Sequence, residues 1–304
     1  MRAVAVTAIG GPEVLRLVDR PDPVARPGQV LVRVLAASVN PADLASRAGL
    51  VVGEPIEPPF VLGWDFAGEV SGCGDGVTDL RPGQRVAGMI PWYVVRGVYG
   101  AYAEQVAVGR DAVVPIPDDL DPVAAATVPL NALTARQALD LMALDPGSTL
   151  LVNGVSGGVG GFAAQLANRA GHRVLAVAGR DDEAWVAGLG VTEVLPRAID
   201  LTTVGPVPAA LDAVPVGAPV AAVVADGGVL VTTRPTPPVD PARGVRQHVV
   251  LIRLVQPMLA DLLADTAAGR LRTRVAATLP LAEAARAHRL VAAGGLRGKV
   301  VLVP

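Results

Sequence analysis

The sequence has few of the residues that form disulfides, metal sites and membrane spans. It holds one cysteine, Cys73, among 304 residues. One cysteine excludes an internal disulfide and cannot by itself build a structural zinc site, which needs about four Cys or His ligands. The most apolar stretch, residues 213–225, is 13 residues long and contains two prolines, whereas a spanning helix needs about 20 apolar residues. We therefore expect no disulfide, no structural zinc and no membrane segment.

The sequence also lacks a large excess of positive or negative charge. The chain has 26 basic and 28 acidic residues, a net charge of -2, and its basic residues are scattered. Such a chain offers no basic stripe to neutralise the phosphates of a nucleic acid. The first residues lack an apolar segment followed by a small-residue cleavage site. With 51% hydrophobic residues, we expect a soluble, cytoplasmic protein of two closely associated lobes that binds no nucleic acid.

Two kinds of segment follow one another along the chain. The first 120 or so residues contain short β-branched runs separated by Gly and Pro, which predict a largely antiparallel lobe. These runs cover residues 2–7, 29–36, 68–71, 85–89 and 101–108. From about residue 122, helical and strand patterns alternate, as in a parallel sheet with crossover helices. The elements predicted first there are a helix over 131–143, a strand over 149–153, a helix over 158–170 and a strand over 173–178. The predicted fold class is α/β.

The strongest chemical signal is a glycine-rich turn in LLVNGVSGGVGGFAAQLA, residues 150–167. Glycines between a strand and a helix permit a tight turn and the close approach of a dinucleotide pyrophosphate to the helix N-terminus. Gly157 and Gly160 match the second and third glycines of the dinucleotide fingerprint, while Val155 stands where the first is usual. The alternative is a packing turn without a ligand. The segment predicted to bind the pyrophosphate is Ser156, Gly157, Gly158, Val159 and Gly160.

The end of the second strand distinguishes NADP from NAD. An acid there binds the ribose 2′-hydroxyl, whereas a basic residue binds a 2′-phosphate. The strand end carries no acid, and Arg180 follows Gly160 by twenty residues. We therefore predict that Arg180 binds the 2′-phosphate of NADPH. Asp181 and Asp182 leave an alternative open, because either of them binds the hydroxyl or begins the next helix as an N-cap.

Several motifs occur in a fixed order along the chain: VNPADLASRAG (39–49), LGWDFAGEV (62–70), RPGQRVAG (81–88), GAYAEQVAV (100–108), ATVPLNALTARQAL (126–139), LLVNGVSGGVG (150–160) and AAGGLRGKVVLVP (292–304). In order and spacing, these motifs resemble the zinc-free quinone oxidoreductase branch of the medium-chain dehydrogenase/reductase superfamily. The resemblance implies a GroES-like catalytic domain of residues 1–121 and 254–304 and a Rossmann domain, a doubly wound parallel sheet, of residues 122–253. It also implies an active site in the cleft between them, and a homodimer joined through the edge of the Rossmann sheet. The predicted edge strand covers residues 247–252.

The resemblance also indicates that no metal takes part. Zinc-dependent members carry a Cys where this chain has Asn40, a His-Glu pair where it has Trp64 and Asp65, and a four-cysteine loop that is missing here. The three histidines match none of these ligand positions: His172, His248 and His288. Hydride transfer to a conjugated carbonyl or a quinone proceeds without a metal when the reactants are positioned and donors stabilise the developing oxyanion.

On the same resemblance, Asn40 and Asp43 lie on the loop that faces the nicotinamide. Asn40 would bond the cofactor or the substrate oxygen, and Asp43 would anchor Arg47 rather than act as a base. Turn formation is the alternative for the Asn-Pro pair. A Tyr that some relatives use as proton donor on this loop is absent. Trp64 either fills the place of the metal or borders the substrate pocket.

Further candidates come from the aromatic loop and from the helix before the glycine turn. Trp92, Tyr93 and Tyr99 would border the substrate pocket, with Tyr93 or Tyr99, preferentially Tyr99, as proton donor. The alternative is a structural role, which we expect for Tyr102. Thr134 would lie near the nicotinamide, and the alternative is a hydrogen bond back within its own helix. Lys299, near Arg297, would reach the cofactor, and the alternative is a solvated charge. Asn131 is assigned to the pocket.

The sequence thus predicts an NADPH-dependent reductase of a quinone or an α,β-unsaturated carbonyl. An enoyl-thioester or biosynthetic tailoring enoyl reductase is one alternative. The other is a cofactor-binding protein without turnover, favoured by the missing loop tyrosine.

Overall fold

A computed structural model describes residues 1–50 and 54–304 of the chain. The tertiary contacts divide it into two compact units. The first comprises Met1–Leu130, Arg253–Arg270 and Arg274–Pro304, and the second comprises Asn131–Ile252 and Leu271–Thr273. That these units are the catalytic and the dinucleotide-binding domain remains a prediction.

The first unit is built mainly from strands, as the β-branched runs predict. In chain order its strands are β1 (Arg2–Val6), β2 (Leu15–Asp19), β3 (Gln29–Val39), β4 (Phe60–Val61), β5 (Asp65–Cys73), β6 (Arg85–Met89), β7 (Gln105–Gly109) and β8 (Val113–Pro115). Its helices before the second unit are α1 (Pro41–Arg47), α2 (Trp92–Val95) and α3 (Pro122–Ala125), and α4 (Pro129–Met142) leads into that unit.

The second unit alternates strands and helices. Its strands are β9 (Thr149–Asn153), β10 (Arg173–Ala178), β11 (Glu193–Pro196), β12 (Val207–Asp212), β13 (Val224–Thr232) and β14 (Arg246–Val249), and its helices are α5 (Gly158–Arg169), α6 (Glu183–Ala187) and α7 (Ala218–Val223). The chain then returns to the first unit through α8 (Gln256–Ala267), β15 (Val275–Pro280), α9 (Ala284–Ala293) and β16 (Lys299–Val303).

The main sheet of the first unit is largely antiparallel, with β15 and β16 as its parallel pair. Across the described residues its strand order is β15-β16-β3-β5-β6-β8, with β7 also paired to β3. The first half of β3 alternates buried and less buried residues, while its last four residues are all buried. Alternation is the pattern of a sheet with one covered face, and continuous burial that of a sheet covered on both faces. The covered end of β3 leads directly into α1. This is the predicted GroES-like fold.

The sheet of the second unit is parallel, with the order β11-β10-β9-β12-β13-β14 in the described part of the chain. Its central strands are apolar and almost wholly buried, as expected for a parallel sheet covered by helices on both faces. These features confirm the predicted Rossmann-type fold. The strand β14 pairs with β13 at the end of this order, so the region predicted as the edge strand does lie at an edge.

Some elements differ from the predictions. The sequence reasoning missed α1 because the Asn-Pro pair that begins it is also typical of a turn, and α7 because its segment is rich in Pro and small residues. The strand predicted over 101–108 begins only at Gln105, since Ala101 and Tyr102 bond instead to Gly63 and Leu62. None of the helices in the described ranges is long and apolar enough to cross a membrane.

Candidate functional site

The glycine turn of the second unit joins the buried strand β9 to the helix α5. Gly154 has a φ of 89°, a left-handed conformation that favours glycine. A Cβ on Gly160 would lie 2.3 Å from the carbonyl oxygen of Gly154, whereas one on Gly157 would lie at 3.4 Å, an ordinary contact. Gly160 is therefore required because helix and turn approach so closely there.

The start of α5 offers unused polar groups to a ligand. Gly157 is the N-cap residue of this 12-residue helix and has no side chain to cap it, so the first N–H groups lack helical partners. The Ser156 hydroxyl beside them is buried and has no hydrogen-bond partner in the described structure. Donors at a helix N-terminus with an unpaired hydroxyl fit a pyrophosphate. The predicted segment from Ser156 to Gly160 thus has the geometry of a dinucleotide site.

Two arginines follow neighbouring strands of the second unit, Arg180 after β10 and Arg197 after β11. Arg180 is exposed, and its guanidinium makes no hydrogen bond or ion pair with the residues that the structure describes. A Cβ on Gly179 would lie 3.7 Å from Nη2 of Arg197, an exposed residue that follows β11. Sequence reasoning missed Arg197, which comes seventeen residues after Arg180. Because parallel strands end at the same sheet edge, a basic residue directly after β11 was the signal that could have revealed it.

A buried polar network occupies the first unit between the end of β3 and β16. Asn40 donates from Nδ2 to Asp65 Oδ2 at 2.9 Å, and Lys299 Nζ donates to Asn40 Oδ1 at 2.6 Å and to the carbonyl of Val39 at 2.8 Å. Asp65 also accepts hydrogen bonds from the Ser38 hydroxyl and the Leu130 N–H. The network is deeply buried, since no more than 6% of the surface is exposed at any of its four members Ser38, Asn40, Asp65 and Lys299.

This network gives Asn40 and Lys299 internal roles that the sequence reasoning did not foresee. The Asn40 amide is engaged at both its oxygen and its nitrogen, so in this arrangement it holds the loop after β3 in place. Lys299 is the only lysine in the chain, all other basic side chains being arginine. A single lysine among arginines was the feature of the sequence that could have indicated a special position for this cation. Contacts of either residue with a cofactor or substrate remain predictions.

Burial shifts the ionisation of the charged members of the network. Desolvation raises the pKa of Asp65 to about 6, opposed by Lys299, and raises that of Asp43 to about 7, opposed by hydrogen bonds from backbone N–H groups. Desolvation lowers the pKa of Lys299 to about 8, opposed by the two carboxyl groups. A buried cation thus lies among two buried carboxyl groups, and burial holds the pKa of each carboxyl group above its ordinary value.

Asp43 does not anchor Arg47 as predicted. Its carboxylate accepts hydrogen bonds from the N–H groups of Asn40, at 2.8 Å, and Gly63, at 3.0 Å. Arg47 bonds instead to the carbonyl of Gly10 and to Nδ1 of His288. The reason is local: Asp43 sits in the first turn of α1 and caps it, while Arg47, at the other end of the helix, is turned to other partners.

His288, on α9, extends these contacts to Tyr102. Because an arginine cannot accept a hydrogen bond, Nδ1 of His288 must be unprotonated, and Nε2 carries the proton that faces the Tyr102 hydroxyl at 3.3 Å. Burial, reinforced by Arg47, lowers the pKa of His288 to about 3. Tyr102 is fully buried, which agrees with the structural role expected for it.

The aromatic candidates differ in their surroundings. Trp64 and Tyr93 pack edge to face with ring centroids 4.8 Å apart. Trp92 is fully buried and donates its indole N–H to the carbonyl of Val61 at 2.7 Å, so it supports the other two rings. Burial raises the pKa of Tyr93, with Ser46 opposing and Asp43 reinforcing the shift, whereas for Tyr99 the charged neighbour is Asp111. The structure therefore brings Tyr93, and not Tyr99, next to α1.

Asn131 and Thr134 are buried on α4. Three residues apart, they share one face of the helix, while the assignment of Asn131 to the substrate pocket and of Thr134 to the cofactor stays a prediction. In residues 1–50 and 54–304, no group of three or more His, Cys, Asp or Glu side chains is placed to hold a metal ion.

Two family models match the chain. One, described as "Alcohol dehydrogenase GroES-like domain", covers residues 26–118, and the other, described as "Zinc-binding dehydrogenase", covers residues 189–302. The chain is 35% identical to the human quinone oxidoreductase over 184 residues, which are 60% of this chain and 54% of that protein. The match thus spans about half the length of that relative.

Solved structures match over the whole chain. The quinone oxidoreductase from Coxiella burnetii has a TM-score of 0.91 and 30% identity and covers 100% of this chain and 99% of that one. A mycobacterial protein solved in complex with NADPH has a TM-score of 0.85 and 30% identity, with 100% of both chains covered. An antiparallel GroES-like sheet and a parallel Rossmann-type sheet are the folds of the medium-chain dehydrogenase/reductase superfamily. The chain belongs to its quinone oxidoreductase branch.

Proposed function

We propose that the protein is an oxidoreductase that transfers a hydride from NADPH to a quinone or an α,β-unsaturated carbonyl without a metal. The observation that carries this proposal is the glycine turn, where Gly160 permits close approach and the Ser156 hydroxyl has no partner within the described structure. When bound, the dinucleotide supplies the hydride. The residues of the second unit bind and orient it, and those of the first unit hold the substrate and supply a proton.

The choice of NADPH rests on the arginines that follow two neighbouring strands, Arg180 after β10 and Arg197 after β11. Arg180 and Arg197 are both exposed, and neither side chain is paired with another residue in the described ranges. In this fold the end of the second strand is where the ribose of a dinucleotide would bind, so two guanidinium groups there favour a 2′-phosphate, which they would bind through charge-assisted hydrogen bonds. The NADPH of the mycobacterial relative supports the same choice.

Proton delivery is assigned to Tyr93 in preference to Tyr99. Reduction of an enone adds one hydride to the β-carbon and one proton to the resulting enolate, and reduction of a quinone likewise consumes one hydride and one proton. The neighbourhood of Tyr93, with Trp64, Ser46 and Asp43, supports its hydroxyl as the donor. The network around Asn40 and Lys299 keeps α1 and its neighbours in place for this step.

Cofactor titration followed by turnover tests the proposal. NADPH and NADH are titrated by cofactor fluorescence, and NADPH oxidation is then followed with 1,4-benzoquinone and with cyclohex-2-enone. We expect NADPH to bind more tightly than NADH and to be oxidised by at least one acceptor. Failure to bind either nucleotide contradicts the dinucleotide site, and tight binding without oxidation by these acceptors contradicts the reductase in favour of a binding protein.

Single variants test the arginines. Because a hydrogen bond to a charged group contributes about 1.5–3 kcal/mol, Arg180→Ala and Arg197→Ala should each weaken NADPH binding roughly 10- to 100-fold. NADH binding should be nearly unchanged, since NADH lacks the phosphate. Arg173→Ala is the matched control, because Arg173 is exposed at the opposite end of β10. Equal losses for NADPH and NADH would contradict the assignment.

We also propose a homodimer joined through β14. This strand ends the sheet of the second unit in the described order, and Leu251 just after it is 77% exposed. An edge strand with unpaired backbone groups is a template for pairing with a second copy. Sedimentation velocity should give a dimer that Leu251→Arg dissociates, and a monomeric wild-type protein would contradict the proposal.

A further inference from the structure

Two buried polar atoms of the first unit have no hydrogen-bond partner within the described structure. They are Nε1 of Trp64 and Oγ of Ser46. Trp64 is 6% exposed and Ser46 0%. Buried polar groups are nearly always paired, because an unpaired one loses its bonds to water without compensation. Two such atoms in one unit indicate a bonding partner from outside the chain.

Both atoms adjoin the same side chain, Tyr93. The Trp64 ring meets that of Tyr93 at 4.8 Å with an interplanar angle of 81°. Ser46 lies close enough to lower the pKa of Tyr93, although its hydroxyl forms no hydrogen bond of normal geometry. Trp92 provides an internal contrast, since it packs on the same two rings and its own Nε1 is paired with Val61. The unpaired atoms are therefore particular to the surroundings of Tyr93.

The positions of the two atoms are fixed by one carboxylate. Asp43, one helical turn before Ser46 on α1, accepts the N–H of Gly63, the residue before Trp64. Gly63 has a φ of 107°, and a Cβ there would lie 2.7 Å from the backbone nitrogens of Ala101 and Tyr102. The Asp43 carboxylate thus joins the helix that carries Ser46 to the turn that carries Trp64, and that turn packs closely against Ala101 and Tyr102.

We propose that the Trp64 indole N–H and the Ser46 hydroxyl donate hydrogen bonds to the carbonyl oxygen of the substrate. This inference rests on the proposed function and adds the site at which the oxygen binds. An indole N–H is only a donor, so its partner must be an acceptor, and a carbonyl oxygen has two lone pairs for two donors. When a hydride adds to the conjugated system, negative charge develops on this oxygen. Prepositioned neutral donors in a buried site stabilise that charge.

The chemistry also restricts the substrate class. Two donors on one substrate atom would favour a carbonyl group of a quinone or an enone and would disfavour a substrate that presents an amine or ammonium group there. The ring of Tyr93 lies next to both donors, so a flat conjugated substrate would stack against an aromatic surface while its oxygen is bound.

Ser46→Ala and Trp64→Phe test the site, with Trp185→Phe as control because Trp185 belongs to the second unit and packs against Arg272. Removal of an oxyanion donor should lower kcat for cyclohex-2-enone roughly 100-fold, while the Kd for NADPH stays unchanged. The second measurement is the infrared carbonyl stretch of carbon-13-labelled cyclohex-2-enone bound to the NADP⁺ complex. In each variant the stretch should move to higher frequency, because a hydrogen bond to the oxygen is lost.

The outcomes separate this inference from the proposed function. Unchanged kcat and an unchanged carbonyl stretch in Ser46→Ala would overturn the inference, since the orphan atoms would then bind only water. If Trp64→Phe fails to fold, Ser46→Ala, which removes a single atom, decides. A wild-type protein that binds NADPH but oxidises it with no acceptor contradicts the proposed function instead, and the infrared measurement still reports whether a carbonyl is hydrogen-bonded.

Discussion

The two units place their polar groups in opposite ways. In the second unit the glycine turn of the candidate site consists of backbone N–H groups, glycines without side chains and one hydroxyl, at the end of an apolar strand. In the first unit it consists of side chains, with two carboxyl groups and an ammonium group buried together. A backbone site depends on close approach, whereas a side-chain site depends on the compensation of buried charge. The two units should therefore fail for different reasons when single residues are changed.

The largest expected effect is on the buried charges of the first unit. Lys299→Met leaves Asp43 and Asp65 buried without their cation, and breaking a buried pair in this way costs about 3–5 kcal/mol. Urea denaturation measures the free energy of unfolding. Arg297→Met, two residues earlier and exposed, is the control and should change it by less than about 1 kcal/mol. Equal effects of the two variants would show that Lys299 does not compensate the carboxyl groups.

The same contrast explains what the sequence could predict. The glycine turn was predicted in position and type because all its determinants lie within eleven residues, from 150 to 160. The network was predicted only as a set of candidates, because its central contact joins Asn40 to Lys299 across 259 positions. A pattern within one segment cannot indicate which distant side chain will be its partner. The resemblance supplied the residues, and the structure supplied their pairing.

Tyr93 and Tyr99 illustrate the same limit at short range. They lie six residues apart in one loop, and the sequence favoured Tyr99. In the structure the short helix α2 ends at Arg96, which has a φ of 51°, so the chain changes direction between the two tyrosines. Tyr93 thereby packs on Trp64, while Tyr99 lies near Asp111. The two left-handed residues Arg96 and Gly97 thus decide which side chain reaches α1, and no periodic pattern predicts their effect.

For the backbone site, the sharpest comparison is between two glycines of one turn. Gly160→Ala places a Cβ 2.3 Å from the Gly154 carbonyl oxygen, and overpacking of this kind costs about 1–3 kcal/mol. We expect a lower free energy of unfolding and loss of NADPH binding. Gly157→Ala, whose Cβ would meet the same oxygen at 3.4 Å, should retain stability. Thermal unfolding and cofactor fluorescence measure both, and equal stabilities would contradict the close-approach argument.

A smaller effect is expected at the aromatic loop, where only a proton donor is removed. Tyr93→Phe keeps the ring against Trp64 and deletes the hydroxyl, so we expect kcat for cyclohex-2-enone to fall about tenfold, water replacing part of the function of a general acid. Tyr99→Phe is the matched control and should leave kcat nearly unchanged. The reverse order would restore Tyr99 as the proton donor and remove the link between Tyr93 and α1.

The last comparison concerns the pH dependence of stability. Because burial raises the pKa of Asp43 to about 7 and of Asp65 to about 6, from 3.8, the folded state binds their protons more tightly than the unfolded state. The free energy of unfolding should therefore fall as the pH rises from about 4 to about 7. Asp43→Asn should lower the free energy of unfolding by a similar amount at every pH, because its amide nitrogen cannot accept one of the two N–H groups that the carboxyl oxygens accept, and it should reduce the fall toward pH 7. Asp79→Asn is the control, because Arg110 lowers the pKa of exposed Asp79. A lowered pKa makes the free energy of unfolding rise with pH, and this rise lies below about pH 4, outside the range in which Asp43 acts. Urea denaturation from pH 4.5 to 8 measures the slope, and an equal slope in Asp43→Asn and the wild type would mean that Asp43 stays ionised through the compensation by Lys299.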